Sequence, residues 1–160
     1  MISNTPKSPQ DHSGVWFPPP LFYVLIFLIA LPAQELLPLP PIAASVGLIL
    51  GIAFLLCGTS LNLWSIDLFR QKKTSLVPIK PTHSLVRSGA YGLSRNPMYL
   101  GLLSTYTGVS LIQHRWWPIL LIPVVIVVIN GLVIRKEELY LARTFGEEYE
   151  SYKRDVRRWV

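Results

Sequence analysis

One stretch of the chain combines residue types that could bind and orient a ligand: residues 83–101, HSLVRSGAYGLSRNPMYLG. Gly89 and Gly92 allow sharp turns and a close approach of the backbone to a ligand. Arg95 and Asn96 add hydrogen-bond donors, directly before a proline that suits the first turn of a helix. The residue types by themselves favour a basic juxtamembrane loop that meets anionic lipid headgroups. A ligand-binding loop is the alternative.

A second candidate is the adjacent pair Glu137 and Glu138, which follows an apolar run. Carboxylates at the edge of a membrane are costly to desolvate unless a cation meets them. Asn130 lies seven residues before Glu137, on the same face of an ideal helix, where its amide indicates either a functional group or a hydrogen bond between helices. We interpret the glutamates as a site for a cationic group. Ion pairing with Arg135 or Lys136 is the alternative.

The elements that must position these residues are membrane helices. Of the 160 residues, 51% are hydrophobic and 15% are charged, whereas soluble domains average roughly 25% charged residues. Four runs without a charged side chain each approach the ~20 residues that cross a bilayer: residues 15–34, 36–66, 96–113 and 116–134. The sequence therefore predicts an all-α integral membrane protein with about four transmembrane helices, and an ordinary soluble globule is excluded.

The connection between the last two spans predicts where the candidate residues meet. We expect spans from near residue 21 to about 31, from 42 to 66, and from Pro97 to Gln113, followed by a tight turn and a fourth span. So short a turn makes the last two spans a helical hairpin. The start of one then neighbours the end of the other, and the two candidate segments face each other across a small cleft. Such a cleft suits a compact cationic or zwitterionic ligand.

The distribution of charge predicts the orientation in the membrane. Residues 67–95 hold six basic residues and one acidic residue, and the tail after residue 134 is also rich in Lys and Arg. The positive-inside rule then places both termini in the cytosol, in a bacterial or archaeal inner membrane or an endomembrane. From Arg135 onward the pattern predicts a cytosolic amphipathic helix that is broken near Gly146, with the tail folded back over the cleft.

Two separated motifs carry a resemblance to a known family. The segment at 83–101 and the segment EELYLARTFGEEYESYKRDVRRW at 137–159 closely resemble the isoprenylcysteine carboxyl methyltransferases and their phospholipid methyltransferase relatives. The resemblance covers residues 76–159. It implies an integral membrane enzyme that binds S-adenosylmethionine in a cytosol-facing pocket and methylates a lipophilic acceptor. It also divides the chain into an N-terminal tail with two spans (1–66) and a methyltransferase-like region (67–160).

The same resemblance assigns site residues by their match to the family motifs. It implies catalytic positions at Arg95, Asn96 and Glu137. It implies cofactor contacts from residues of both motifs: His83, Ser84, Leu85, Val86, Tyr91, Asn96, Pro97, Met98, Tyr99, Glu137 and Glu138.

Two departures from the family pattern leave the acceptor open. Asn96 stands where the family usually has a histidine, and Val133 stands where the prenylcysteine enzymes place an arginine four residues before the first glutamate. The acceptor could be a prenylcysteine-like carboxylate or another membrane-soluble carboxylate, thiol or amine. The alternative functions are a membrane reductase that uses NADPH and a non-catalytic lipid-binding protein. Neither a metal site nor nucleic-acid binding is expected, and the oligomeric state is left open.

Overall fold

The computed structural model describes residues 17–72 and 84–160, and within these ranges the chain forms helices and no strand. The elements follow one another as α1 (Pro19–Leu36), α2 (Ala44–Gln71), α3 (Ala90–Leu93), α4 (Pro97–Ile112), α5 (Trp116–Leu120), α6 (Ile122–Ile129), a π-helical turn (Asn130–Ile134), α7 (Arg135–Phe145) and α8 (Glu147–Asp155). The predicted all-α class is confirmed for the described residues.

The first two helices are longer than the sequence predicted. With 18 residues, α1 continues through Pro32, and with 28 residues, α2 takes in Asp67 and Arg70 beyond its apolar run. Among the described residues, these are the two helices long and apolar enough to cross a membrane. At 1.5 Å per residue, α1 rises about 27 Å and α2 about 42 Å, so α2 carries its polar end beyond a hydrocarbon core of ~30 Å.

Close packing of α2 on α4 depends on glycines. A Cβ on Gly58 would lie 2.5 Å from the carbonyl oxygen of Gly101, and one on Gly108 would lie 2.7 Å from the carbonyl oxygen of Gly51. The Ser104 hydroxyl also donates to the backbone of Phe54 at 2.8 Å. Small residues at such a crossing let two helix backbones approach, which strengthens van der Waals contact between them. The pairing fixes α4 on α2.

On its other side, α4 packs against α1 and α5 through tyrosines. The Tyr23 hydroxyl of α1 donates to the backbone oxygen of Tyr99 at 3.0 Å, and the Tyr106 hydroxyl donates to the backbone oxygen of Pro118 at 2.8 Å. The ring of Phe27 meets Tyr106 edge-on, with centroids 5.6 Å apart. Because each buried hydroxyl has a partner, these rings fill the core without an unpaired polar group.

The expected fourth span is interrupted twice. A turn at Leu121 separates α5 from α6, and the π-turn separates α6 from α7. The first break has a local cause, since Pro123 lacks the N–H that would bond to the Ile119 carbonyl and its ring crowds that position. At the π-turn the adjacent Val133 and Ile134 are both fully buried. The wider π-turn also rotates the residues after it about the helix axis, so Asn130 and Glu137 do not keep the register of an ideal helix.

The predicted break near Gly146 is confirmed. Gly146 has φ +52° and separates α7 from α8, a conformation that glycine adopts without a Cβ clash. After α8, Val156 is extended. The residues that follow, 156–160, are called the C-terminal strap below.

The glycine packing predicts the effect of one methyl group. Gly58→Ala should lower the stability in detergent by roughly 1–3 kcal/mol, because the added Cβ meets backbone atoms of α4 that cannot rotate away. Thermal unfolding measures the change. Gly131→Ala is the matched control, since a Cβ there has no heavy atom within 4 Å. Equal melting temperatures for the two variants would contradict the close α2–α4 contact.

Candidate active site

The two adjacent glutamates at the start of α7 have different surroundings. The Glu138 carboxylate accepts a bidentate pair of hydrogen bonds from Arg158, at 3.0 Å from Nε and 2.6 Å from Nη2. The Arg95 Nη1 lies 3.2 Å from the same carboxylate. Bidentate pairs of this kind are short and strong, and the hydrogen bond to Glu138 raises the pKa of Arg158. Glu138 is therefore fully engaged by two cations.

Glu137 has a hydroxyl partner in place of a cation. The Tyr99 hydroxyl of α4 donates to its Oε1 at 2.8 Å, and no Lys or Arg of the described ranges lies within ion-pair distance of it. The pKa of Glu137 is raised to about 7: burial raises it most, the hydrogen bond from Tyr99 lowers it, and the negative charge of Glu138 adds a smaller increase. The site thus holds one carboxylate whose charge is not matched by a described side chain.

A short loop, 94–96, links α3 to α4 and lies against the C-terminal strap. The Arg95 amide donates to the Arg157 carbonyl at 2.9 Å. The Asn96 side-chain amide and the Ser94 hydroxyl both donate to the Arg158 carbonyl, at 2.9 and 3.2 Å. These bonds satisfy polar groups that are largely buried, since Ser94 is 2% and Asn96 8% exposed. They confirm that the tail returns to the predicted loop.

The local sequence explains the path of the loop. Gly89 has φ +61° and starts the turn into α3, and a Cβ there would lie 2.9 Å from the Leu68 side chain of α2. Pro97 occupies the first turn of α4, where its missing N–H removes no helical bond. Tyr91 packs edge-on against Phe69 of α2, with centroids 5.3 Å apart. The loop is held by α2 on one side and by the tail on the other.

Tyrosines from three elements surround the glutamates. The Tyr152 hydroxyl of α8 donates to the Tyr91 carbonyl at 2.6 Å, and Tyr149 packs against Tyr152 with centroids 6.2 Å apart. Burial raises the pKa of Tyr91, and the nearby charge of Glu137 raises it further. Tyr91 therefore keeps its proton near Glu137, and the Tyr99 hydroxyl donates to that carboxylate. A carboxylate bordered by aromatic rings is an arrangement that attracts cations.

The structure brings together six of the predicted site residues: Tyr91, Arg95, Asn96, Tyr99, Glu137 and Glu138. Pro97 is fully buried and Met98 half-buried in the first turn of α4. Ser84 is placed differently, because its hydroxyl donates to the Lys72 carbonyl at the end of α2, 3.4 Å away. Val86 is buried and Leu85 half-buried before the Gly89 turn. His83 lies outside the described residues.

Some residues of the site were not predicted as such. Arg158 donates to Glu138 and accepts from Ser94, a residue of loop 94–96. Tyr152 donates to the Tyr91 carbonyl and packs against Tyr149. The sequence signal for the two tyrosines is their spacing of three in an amphipathic helix, which places both on one face. Nothing in the sequence distinguishes Arg158 from Arg157, because their roles differ only through the direction in which the strap passes the site.

The surroundings of Glu137 predict how stability depends on pH. A carboxyl whose pKa rises on folding binds more protons in the folded state, so the free energy of unfolding should fall as the pH rises from 4.5 through about 7. In Glu137→Gln this decrease should be smaller. In Tyr99→Phe it should extend to higher pH, because the hydrogen bond that favours the carboxylate is lost.

Unfolding in detergent across this pH range measures the effect. Glu148→Gln is the control, since Glu148 is exposed on α8. If the free energy of unfolding of Glu137→Gln fell with pH as steeply as that of the unchanged protein, Glu137 would not titrate in this range.

Comparisons of the sequence with known proteins identify the family of the chain. A family model described as phospholipid methyltransferase matches residues 46–148. An uncharacterized protein of Haemophilus influenzae is 41% identical over 63 residues, which are 39% of this chain and the whole of that protein. The protein-S-isoprenylcysteine O-methyltransferase of Schizosaccharomyces pombe is 32% identical over 74 residues, which are 46% of this chain and 31% of that enzyme. No solved structure matches. The resemblance found in the two motifs is confirmed, and the chain belongs to the phospholipid methyltransferase family.

Proposed function

We propose that this protein transfers a methyl group from S-adenosylmethionine to a lipophilic acceptor at the cytosolic face of a membrane. The observation that carries the proposal is Glu137, a part-buried carboxylate without a described cationic partner, next to the Tyr91 and Tyr99 hydroxyls. S-adenosylmethionine has a sulfonium and an ammonium group, and both are cations that such a carboxylate and its aromatic neighbours attract. The residues present therefore fit the cofactor.

The residues of the site divide into two roles in this proposal. Glu137 and Tyr99 would hold the cationic end of the cofactor, and the segment before α3, which includes Ser84–Val86, would lie against its adenosine end. When bound, the cofactor supplies a methyl group that is already activated for displacement. The protein then has to align the acceptor and exclude water, and it needs no strong acid or base. The C-terminal strap contributes to that exclusion because it lies across loop 94–96.

For the membrane arrangement, we propose four spans, the last two of them a hairpin formed by α4 and the segment from α5 to the π-turn. Large apolar side chains on three helices point away from the core: Ile29 of α1 is 66% exposed, Ile49 of α2 67% and Val127 of α6 70%. Lipid is the environment in which such exposed faces are stable. The acceptor would enter from the bilayer towards Glu137, and both termini would lie in the cytosol, as the basic residues of 67–95 and the tail indicate.

The arginines of the site bear on which acceptors it could take. Within the described part of the site, Arg158 forms a bidentate pair with Glu138, whereas Arg95 contacts that carboxylate at 3.2 Å and has buried Nε and Nη1 groups without a hydrogen-bond partner. An acceptor carboxylate would need such donors, whereas a thiol or an amine would need only modest help to lose a proton. The proposal therefore includes all three acceptor types.

Binding measurements test the proposal directly. Calorimetry on the detergent-purified protein should detect S-adenosylmethionine and S-adenosylhomocysteine. Glu137→Gln should weaken S-adenosylmethionine binding on the order of 10-fold, which corresponds to a loss of about 1.4 kcal/mol. S-adenosylhomocysteine keeps the ammonium group but has an uncharged thioether sulfur, so its affinity should fall less.

The control is again Glu148→Gln, which removes the same charge from an exposed position of α8. Binding of NADPH without binding of either methyl-donor ligand would replace the proposal with a reductase. Binding of none of the three would favour a lipid-binding protein without catalysis.

A further inference from the structure

Arg158 of the strap forms hydrogen bonds with both halves of the site. Its guanidinium donates to both oxygens of Glu138 on α7, at 3.0 and 2.6 Å. Its backbone carbonyl accepts from the Asn96 side chain at 2.9 Å and from the Ser94 hydroxyl at 3.2 Å. Through one residue, the start of α4 and the start of α7 are connected to each other. This connection lies beside Glu137 but does not include it.

The geometry makes Arg158 the principal partner of Glu138. The bidentate contact fixes the plane of the carboxylate, whereas Arg95 approaches one oxygen at 3.2 Å. The side chain of Glu138 is 14% exposed, and that of Arg158 is 36% exposed. Removal of Arg158 would leave a largely buried carboxylate with a single cation, immediately next to Glu137. Uncompensated charge at such a position is costly. Its field acts most strongly on the adjacent carboxylate, Glu137.

We propose that Arg158 is a positioning residue for the candidate active site. By neutralising Glu138 it leaves Glu137 as the carboxylate that is free to bind a cationic ligand. By accepting from Asn96 it fixes the orientation of that amide at the start of α4. The inference rests on the proposed function for the role of Glu137, but the contacts of Arg158 are independent of any ligand.

Among the described residues, the groups that act on Glu137 come from neighbouring helices and from its own helix. From α4, the Tyr99 hydroxyl donates to it. From α3, Tyr91 lies within its electrostatic field, and Tyr152 of α8 acts on Tyr91 in turn. On its own helix, Glu138 opposes its ionisation. The positive charges of Arg95 and Arg158, which are paired with Glu138, offset its negative field at Glu137. The loss of Arg158 should therefore leave a stronger negative field at Glu137.

The test is a titration of Glu137 in the ligand-free protein. Infrared spectroscopy follows the carboxyl band that disappears in Glu137→Gln. In Arg158→Gln the midpoint of this titration should move up by about one pH unit, because a like charge next to a carboxylate favours its protonated form. Arg158→Lys keeps the charge but not the bidentate geometry, and its midpoint should lie between the two.

Arg157→Gln is the matched control, because Arg157 is the neighbouring strap residue, is exposed, and contacts the loop through its backbone carbonyl. Its midpoint should stay unchanged. Glu138→Gln should move the midpoint down, because the like charge next to Glu137 is gone. Arg158→Gln added to that variant should bring the midpoint back up, because the positive charge that offset Glu138 at Glu137 is gone as well. This second comparison also serves if Arg158→Gln alone does not fold.

A stability loss in Arg158→Gln with an unchanged midpoint would overturn the inference and leave Arg158 a structural residue only. An equal shift in Arg157→Gln would also overturn it, because the effect would then be one of net charge. The titration needs no cofactor. If the midpoint shifts but S-adenosylmethionine does not bind, the proposed function fails and the positioning role of Arg158 stands.

Discussion

Two carboxylates that are adjacent in sequence cannot both be withdrawn from water without compensation, and this constraint organises the polar end of the molecule. Glu138 is compensated by Arg95 from the loop and by Arg158 from the strap, so both segments must reach the start of α7. The strap then satisfies the polar groups of Ser94 and Asn96 with its own backbone. Glu137 accepts a hydrogen bond from the Tyr99 hydroxyl and has no Lys or Arg partner among the described residues.

The apolar part of the molecule serves this arrangement by fixing α4. Its glycines let α2 approach along one side, and the Tyr23 hydroxyl of α1 binds the Tyr99 backbone on the other. The helix α4, which carries Tyr99, is therefore held between α1 and α2, and the Tyr99 hydroxyl reaches Glu137 at 2.8 Å. Rigid support of this kind is what a site for group transfer requires.

Several local features could be predicted because their causes are local. Pro97 begins α4 and Gly146 ends α7, since ring geometry and the absence of a Cβ act within one or two residues. Apolar periodicity and missing charges predicted the helical class. The π-turn and the extension of α2 to Gln71 were not predicted, because packing against other helices contributes to where a helix continues or widens. The break at Leu121 was also not predicted, although its cause, Pro123, is local.

The sequence by itself determined which residue types are present at the site, their division into two motifs, and the membership of the family, because these depend on identity and order along the chain. Only the tertiary structure decided which glutamate is paired with arginines and which accepts a hydrogen bond from a tyrosine. That outcome depends on the path of the strap, which presents Arg158 to Glu138 and leaves Arg157 exposed. The two glutamates are adjacent and chemically identical, so they differ in their partners only because their side chains point in different directions. The packing of the helices sets those directions.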